Sequence, residues 1–283
     1  MKIVITGSKG QLGNSLREIL ADDELYLVDL PELNLISYQA TMKYISQVQP
    51  EVVIHCAAKT HVDDCELKPD EAYAANVMAT KNVVNACQAI DAALVYVSTD
   101  YVFDGRGNQP YREYDRCNPQ SVYGKTKWQG EEIVKMGLRR FYIARTAWLF
   151  GDVGHNFVRT ILKLAGEKDL LKIVNDQFGC PTYAFDLAEA IHQLIRTKSY
   201  GIYHITNEGN CSWFEFTQQI LDQAGIKGVK VEPITTEELN RPALRPKYSI
   251  LAKDALKNLG IEMPRYQDAL QRFFRKNSIS PGS

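Results

Sequence analysis

The stretch Lys2-Ile3-Val4-Ile5-Thr6-Gly7-Ser8-Lys9-Gly10-Gln11-Leu12-Gly13 decides the fold. Its first residues are strand-like, the segment from Gln11 has a helical pattern, and the glycines between follow a G-x-x-G-x-x-G spacing. Glycine lets the chain turn sharply and approach a pyrophosphate without a Cβ in the way. The free N–H groups and positive dipole end of the next helix then face the phosphates. A glycine pattern alone is weak, but a strand before it and a helix after it supply the context that gives it meaning. Gly7, Lys9, Gly10, Gln11, Leu12 and Gly13 are therefore expected to bind a dinucleotide cofactor, with an ordinary strand-to-helix turn as the plain alternative.

Asp29 closes the second strand candidate, 16 residues past Gly13. A carboxylate there can accept hydrogen bonds from a ribose and would favour NAD, whereas the Lys9 cation could reach the 2′-phosphate of NADP. The choice between NADPH and NADH stays open, and Asp29 could also be a turn or a cap. The segment His55-Cys56-Ala57-Ala58-Lys59-Thr60 follows the third strand. Its small residues suit a backbone lying close to a flat ring or a ribose, so Cys56, Ala57, Ala58 and Thr60 join the cofactor set. Close packing of strand on helix explains them equally well.

Working outward, strand candidates fall at Lys2–Thr6, Glu24–Val28, Val52–His55, Ala93–Ser98 and Phe141–Arg145. Helical patterns near Gln11–Leu20, Tyr38–Gln47, Pro69–Ala89 and Ser121–Lys135 separate them. Apolar strands alternating with amphipathic helices predict an α/β fold, a doubly wound parallel sheet of Rossmann type. After Phe150 the alternation becomes irregular, and prolines punctuate it at Cys180-Pro181, Glu232-Pro233, Arg241-Pro242 and Arg245-Pro246. A helix near Phe185–Thr197 and a strand near Gly201–Thr206 are expected to rejoin the sheet. Residues 1–151 with about 182–206 would form the dinucleotide-binding domain, and about 152–181 with 207–283 a smaller C-terminal substrate-binding lobe. The tail from Ser278 to Ser283 reads as a flexible end.

The chain of 283 residues carries 33 Lys plus Arg against 34 Asp plus Glu, and 45% of its residues are hydrophobic. That balance argues against nucleic acid or an anionic membrane as a partner. No apolar window approaches the length of a membrane span, and no leader pattern precedes the first strand. Six scattered cysteines show no Cys-x-x-Cys pair, which fits reduced thiols in a cytoplasmic protein better than a zinc site or disulfide framework.

Tyr123-Gly124-Lys125-Thr126-Lys127 places Tyr123 and Lys127 four residues apart, on one face of a helix. A tyrosine is mostly protonated at neutral pH, and a neighbouring ammonium stabilises the phenolate left when it gives up its proton. A positioned acid of this kind contributes about 10²–10⁴-fold in rate. Upstream, Ser98-Thr99-Asp100-Tyr101-Val102-Phe103 ends the fourth strand, and ligands bind at strand carboxyl ends in an open α/β sheet. A Thr99 hydroxyl there can bond the same substrate oxygen as Tyr123. Thr99, Tyr123 and Lys127 are thus the expected catalytic trio. A solvated helix face and a strand-end cap are the bland readings.

Together these residues resemble the extended short-chain dehydrogenase/reductase family, and within it the dTDP-4-dehydrorhamnose reductase group. Further matching stretches are Arg145-Thr146-Ala147-Trp148, Asn175-Asp176-Gln177-Phe178-Gly179-Cys180-Pro181-Thr182 and Arg245-Pro246-Lys247-Tyr248-Ser249. The resemblance implies hydride transfer from NADPH or NADH to carbon 4 of a dTDP-linked keto sugar, with Tyr123 as the acid and Lys127 holding the cofactor ribose. It implies a substrate site of Thr99, Asp100, Tyr101, Phe103, Tyr123, Trp148, Asn156 and Arg245, with Arg245 facing the diphosphate. Some relatives bind a metal at a dimer interface through carboxylates. Here Ser15 and Arg17 stand beside Glu18, so no metal is expected, and a homodimer is left open. Two alternatives remain: another nucleotide-sugar epimerase or dehydratase of the same superfamily, and a non-catalytic regulatory subunit of the same fold.

Overall fold

The computed structural model describes residues 1–279; residues 280–283, part of the tail read as a flexible end, lie outside the described residues. Strands β1 (Lys2–Thr6), β2 (Glu24–Val28), β3 (Val52–His55), β4 (Ala93–Thr99), β5 (Phe141–Thr146) and β6 (Gly201–His204) form one sheet in the order β6-β5-β4-β3-β1-β2. Every neighbouring pair is parallel. β3, β4 and β5 are buried almost throughout, as strands covered on both faces must be. One apolar cluster joins Ile3, Ile5 and Ile54 to Leu16, Leu187 and Ile191. The other joins Val4, Val53 and Leu94 to Ile45, Val83 and Val134. The chain runs from β1 to β2 on one side and crosses to β3 on the other, so a crevice opens beyond the carboxyl ends of β1 and β3.

Element positions follow the expected pattern with instructive departures. β4 and β5 each run one residue longer than predicted, which carries Thr99 and Thr146 on adjacent strands as register partners. The Pro69–Ala89 helix is broken by a π-turn over Ala74–Met78. Asn76 in that turn bonds the backbone N–H of Lys59 at 2.7 Å and the Thr126 hydroxyl at 3.1 Å, tying the loop after β3 to the next helix. Such a widened turn re-aims a side chain without ending the helix.

Beyond Phe150 a third core gathers Phe150, Ile161, Tyr183, Phe216, Ile220, Tyr266 and Phe273. Short strand pairs stitch this region together: Leu149–Phe150 with Thr182–Tyr183, Leu170–Val174 with Lys230–Ile234, and Phe178–Gly179 with Cys211–Ser212. Pro233, read as loop punctuation, sits inside the Lys230–Ile234 strand, where a two-stranded edge tolerates a residue with no N–H. Leu256, Ile261 and Met263, expected in the lobe, pack into the core of the main sheet. No helix among the described residues is long and apolar enough to cross a membrane.

Candidate active site

Gly7 turns the chain with φ +66°, and a Cβ there would stand 2.7 Å from the backbone N of Ala57. Only glycine permits that turn and that contact with the loop after β3. The Gln11–Ile19 helix then begins at Gly10 with no side-chain cap, so its first N–H groups are free to face a ligand. Gly7, Gly10, Gln11, Leu12, Gly13, Asp29, Cys56, Ala57, Ala58 and Thr60 all line one cavity of about 760 Å³. An uncapped helix start, a glycine turn and small residues after β3 fit a dinucleotide pyrophosphate and its riboses.

The same cavity reaches Thr99, Asp100, Tyr101, Tyr123, Lys127 and Trp148. Helix Val122–Gly137 is capped by Ser121, whose Oγ accepts from Gly124 N at 3.2 Å. Two glycines let this helix press onto the sheet: a Cβ at Gly124 would lie 2.3 Å from the Tyr101 carbonyl, and one at Gly130 would lie 2.1 Å from the Tyr96 hydroxyl. Lys127, between them, is buried, with its Nζ 4.1 Å above the Tyr96 ring. The Tyr123 ring meets Tyr101 edge-on at 5.5 Å.

Burial pushes the Tyr123 phenol above the ordinary tyrosine range, and a hydrogen bond with Thr99 works against that rise. Burial lowers Lys127 to about 7, while Glu131, one helical turn further on, favours its charged form. Burial also lifts Cys56 to about 12, which makes it a neutral thiol and not a nucleophile. His55 is lowered to about 3 by burial and by the nearby Lys127. It is a neutral ring held between the hydroxyls of Thr6 at 2.7 Å and Thr80 at 3.1 Å. Asp100 is lifted to about 6 by burial, although its Oδ1 accepts from Thr99 Oγ1 at 3.0 Å.

Beneath the trio lies a buried ion pair. Arg145 donates to Glu131 through Nε at 2.9 Å and Nη2 at 2.7 Å, and Ser98 Oγ donates to the same carboxylate at 2.5 Å. Arg145 also reaches the Glu113 carbonyl at 3.1 Å. This network fixes the Val122–Gly137 helix against the ends of β4 and β5, the elements that carry Thr99 and Tyr123.

Four expected contacts lie off the cavity wall. Lys9 is exposed, its Nζ bonded to Glu32 at 2.8 Å and to the Leu30 carbonyl at 3.1 Å. Phe103 is buried, stacked on Tyr111 at 4.3 Å and edge-on to His204. Asn156 caps helix Phe157–Glu167, its Oδ1 accepting from Arg159 N at 3.0 Å while its Nδ2 bonds the Gly151 carbonyl. Arg245 forks onto both oxygens of Asp63 at 3.0 and 2.9 Å, with Arg241 3.6 Å from the same carboxylate. Burial alone would raise Asp63, but hydrogen bonds from Arg245 and Ala243 hold it below the usual carboxylate range. Asp29 lines the cavity, yet its oxygens accept from the N–H groups of Lys9 and Leu30. Leu33, Asn34, Leu35, Ile36, Ala75 and Trp213 also line the cavity. No motif in the sequence marks them, and the π-turn behind Ala75 leaves no sequence signature.

The parallel sheet, its glycine turn and the cavity joining that turn to a Tyr–Lys helix face define a dinucleotide-binding protein of Rossmann type. Comparison with known proteins narrows this. The chain belongs to the family described as RmlD substrate binding domain, which matches residues 1–279. A solved dTDP-4-dehydrorhamnose reductase of Clostridium acetobutylicum is 43% identical with a TM-score of 0.95, covering 98% of this chain and 100% of that one. The Bacillus anthracis dTDP-4-dehydrorhamnose reductase, solved in complex with NADP, is 41% identical with the same TM-score, covering 98% of this chain and 100% of its own. The spore coat polysaccharide biosynthesis protein SpsK of Bacillus subtilis is 39% identical over 279 residues, covering 98% of each chain.

Proposed function

We propose that the protein reduces the 4-keto group of dTDP-4-dehydro-L-rhamnose to the alcohol of dTDP-L-rhamnose, with NADPH or NADH as hydride source and Tyr123 as proton donor. One observation carries the reading: Thr99, Tyr123 and Lys127 line the same cavity as the uncapped helix start at Gly10. A reduced nicotinamide dinucleotide held by Gly7 to Gly13 and the loop after β3 would supply the hydride for carbon 4. Thr99 and Tyr123 present hydroxyls to the carbonyl oxygen, and the phenol proton goes to that oxygen as it gains negative charge. The raised Tyr123 pKa keeps the phenol protonated at neutral pH, the form a donor needs. Lys127 in its charged form stabilises the phenolate left behind, and Glu131 helps to hold that charge. Residues 1–151 with about 182–206 hold the dinucleotide, and about 152–181 with 207–279, apart from the Leu256–Met263 stretch packed on the main sheet, enclose the sugar. The substrate partner is a dTDP-sugar, and six free thiols agree with a cytoplasmic setting.

The test follows oxidation of NADPH by the purified protein with dTDP-4-dehydro-L-rhamnose. Turnover that depends on both supports the proposal. NAD retained in stoichiometric amount, with no turnover of external NADPH, supports an epimerase and overturns it.

A further inference from the structure

Trp213 opens helix Trp213–Ala224 behind a reciprocal cap. Ser212 Oγ accepts from Glu215 N at 3.1 Å, and the Glu215 carboxylate accepts from Ser212 N at 2.7 Å, so the start of this helix is firmly held. The Trp213 ring lies 3.4 Å from that of Trp148, with 5° between their planes, and meets Phe157 at 4.3 Å. Both indoles line the cavity that carries Thr99, Tyr123 and Lys127.

Trp148 needs such support. It joins the end of β5 to the lobe in a left-handed backbone conformation, φ +48°, which residues with a side chain rarely adopt. Its ring also touches the backbone of Gly179, where a Cβ would stand 2.4 Å from the indole. The close approach at Gly179 and the broad contact with Trp213 together set where the indole points. Trp213 in turn rests on Phe157 and Phe216 of the lobe's aromatic core.

We infer that Trp213 is a positioning residue for the sugar: it holds the Trp148 indole in place at the sugar end of the cavity, and the stacked pair forms the apolar wall against which a 6-deoxy sugar seats its C–H face. The inference rests on the nucleotide-sugar reading above. An indole already held flat meets the sugar without first losing its freedom to turn, so the stack acts on sugar binding and not on the proton transfer. The cofactor end, built on Gly7 to Gly13 and the loop after β3, does not depend on this stack.

Trp213→Ala and Trp213→Phe in the full chain test it, with sugar KM, kcat and NADPH Kd measured separately. Loss of the pair in Trp213→Ala raises KM for dTDP-4-dehydro-L-rhamnose about tenfold, the upper range for an aromatic pair. kcat and NADPH Kd stay within about twofold, and Trp213→Phe restores most of the KM. An unchanged KM overturns the inference, as does a rise in KM matched by NADPH Kd, which marks general loosening of the fold. Wild-type protein that does not reduce the sugar overturns the assigned function and this inference with it. Wild-type turnover with an unaltered Trp213→Ala overturns the inference alone.

Discussion

Replacing Glu131 by glutamine isolates what the ion pair beneath the site contributes. The Glu131 and Arg145 side chains are 0% and 2% exposed, so water does not screen their contact. Glutamine keeps the size and removes the charge, which leaves Arg145 buried with an uncompensated guanidinium. Removing one partner of a buried pair costs about 3–5 kcal/mol. The Glu113 carbonyl, 3.1 Å from Arg145 Nη1, still takes one of its N–H groups and places the loss near the lower end. Unfolding entropy of about 2.1 cal/mol/K per residue gives about 0.6 kcal/mol/K for this 283-residue chain, so about 3 kcal/mol lowers Tm by about 5 °C. Thermal scanning and urea unfolding of the two proteins read this directly. The double variant Glu131→Leu with Arg145→Met removes both charges and recovers most of the loss, because desolvating a charge pair offsets much of its attraction. A Glu131→Gln protein within about 1 kcal/mol of wild type, or a double variant less stable than the single one, refutes the reasoning.

Two further predictions concern charge, one at the cavity wall and one just outside it. Asp100, lifted to about 6 by burial, keeps its proton in the folded state over the window from about pH 4 to 6, where the unfolded carboxyl near 3.9 has released it. The unfolded state binds fewer protons there, so stability falls as pH rises through that window. Asp100→Asn removes this fall and gains more in Tm at pH 8 than at pH 4; parallel pH profiles for the two proteins would sink the assignment. Glu32→Ala frees the Lys9 ammonium from the partner that holds it at 2.8 Å. NADPH then binds a few-fold tighter while NADH is little changed, and equal changes in both Kd values would show that Lys9 does not reach the 2′-phosphate.

Much of the cavity lining is legible in the sequence. β3 to β5 announce themselves as continuous apolar runs, and the four-residue spacing of Tyr123 and Lys127 on a capped helix follows from Ser121 onward. Thr99 stands on the cavity wall because it ends a strand, and strand carboxyl ends face the ligand crevice in such sheets. Other roles depend on partners far along the chain. Arg245 looks like a phosphate ligand until folding brings Asp63 to it across a sequence separation of 182 residues. Asn156 reads as a polar site residue, but its amide is consumed in capping the next helix. Lys9 reads as a free cation, and only the loop after β2 shows that Glu32 neutralises it. Trp213 carries no signal of its own, since a lone aromatic at a helix start is most simply core.

The central claim is that Tyr123 delivers the proton to a sugar oxygen while the rest of the cavity holds the cofactor. Tyr123→Phe tests it most directly, with NADPH Kd and turnover of dTDP-4-dehydro-L-rhamnose measured on the same preparation. The structure predicts a Kd within about twofold of wild type and a kcat lower by at least about 100-fold. Turnover within about threefold of wild type would contradict it.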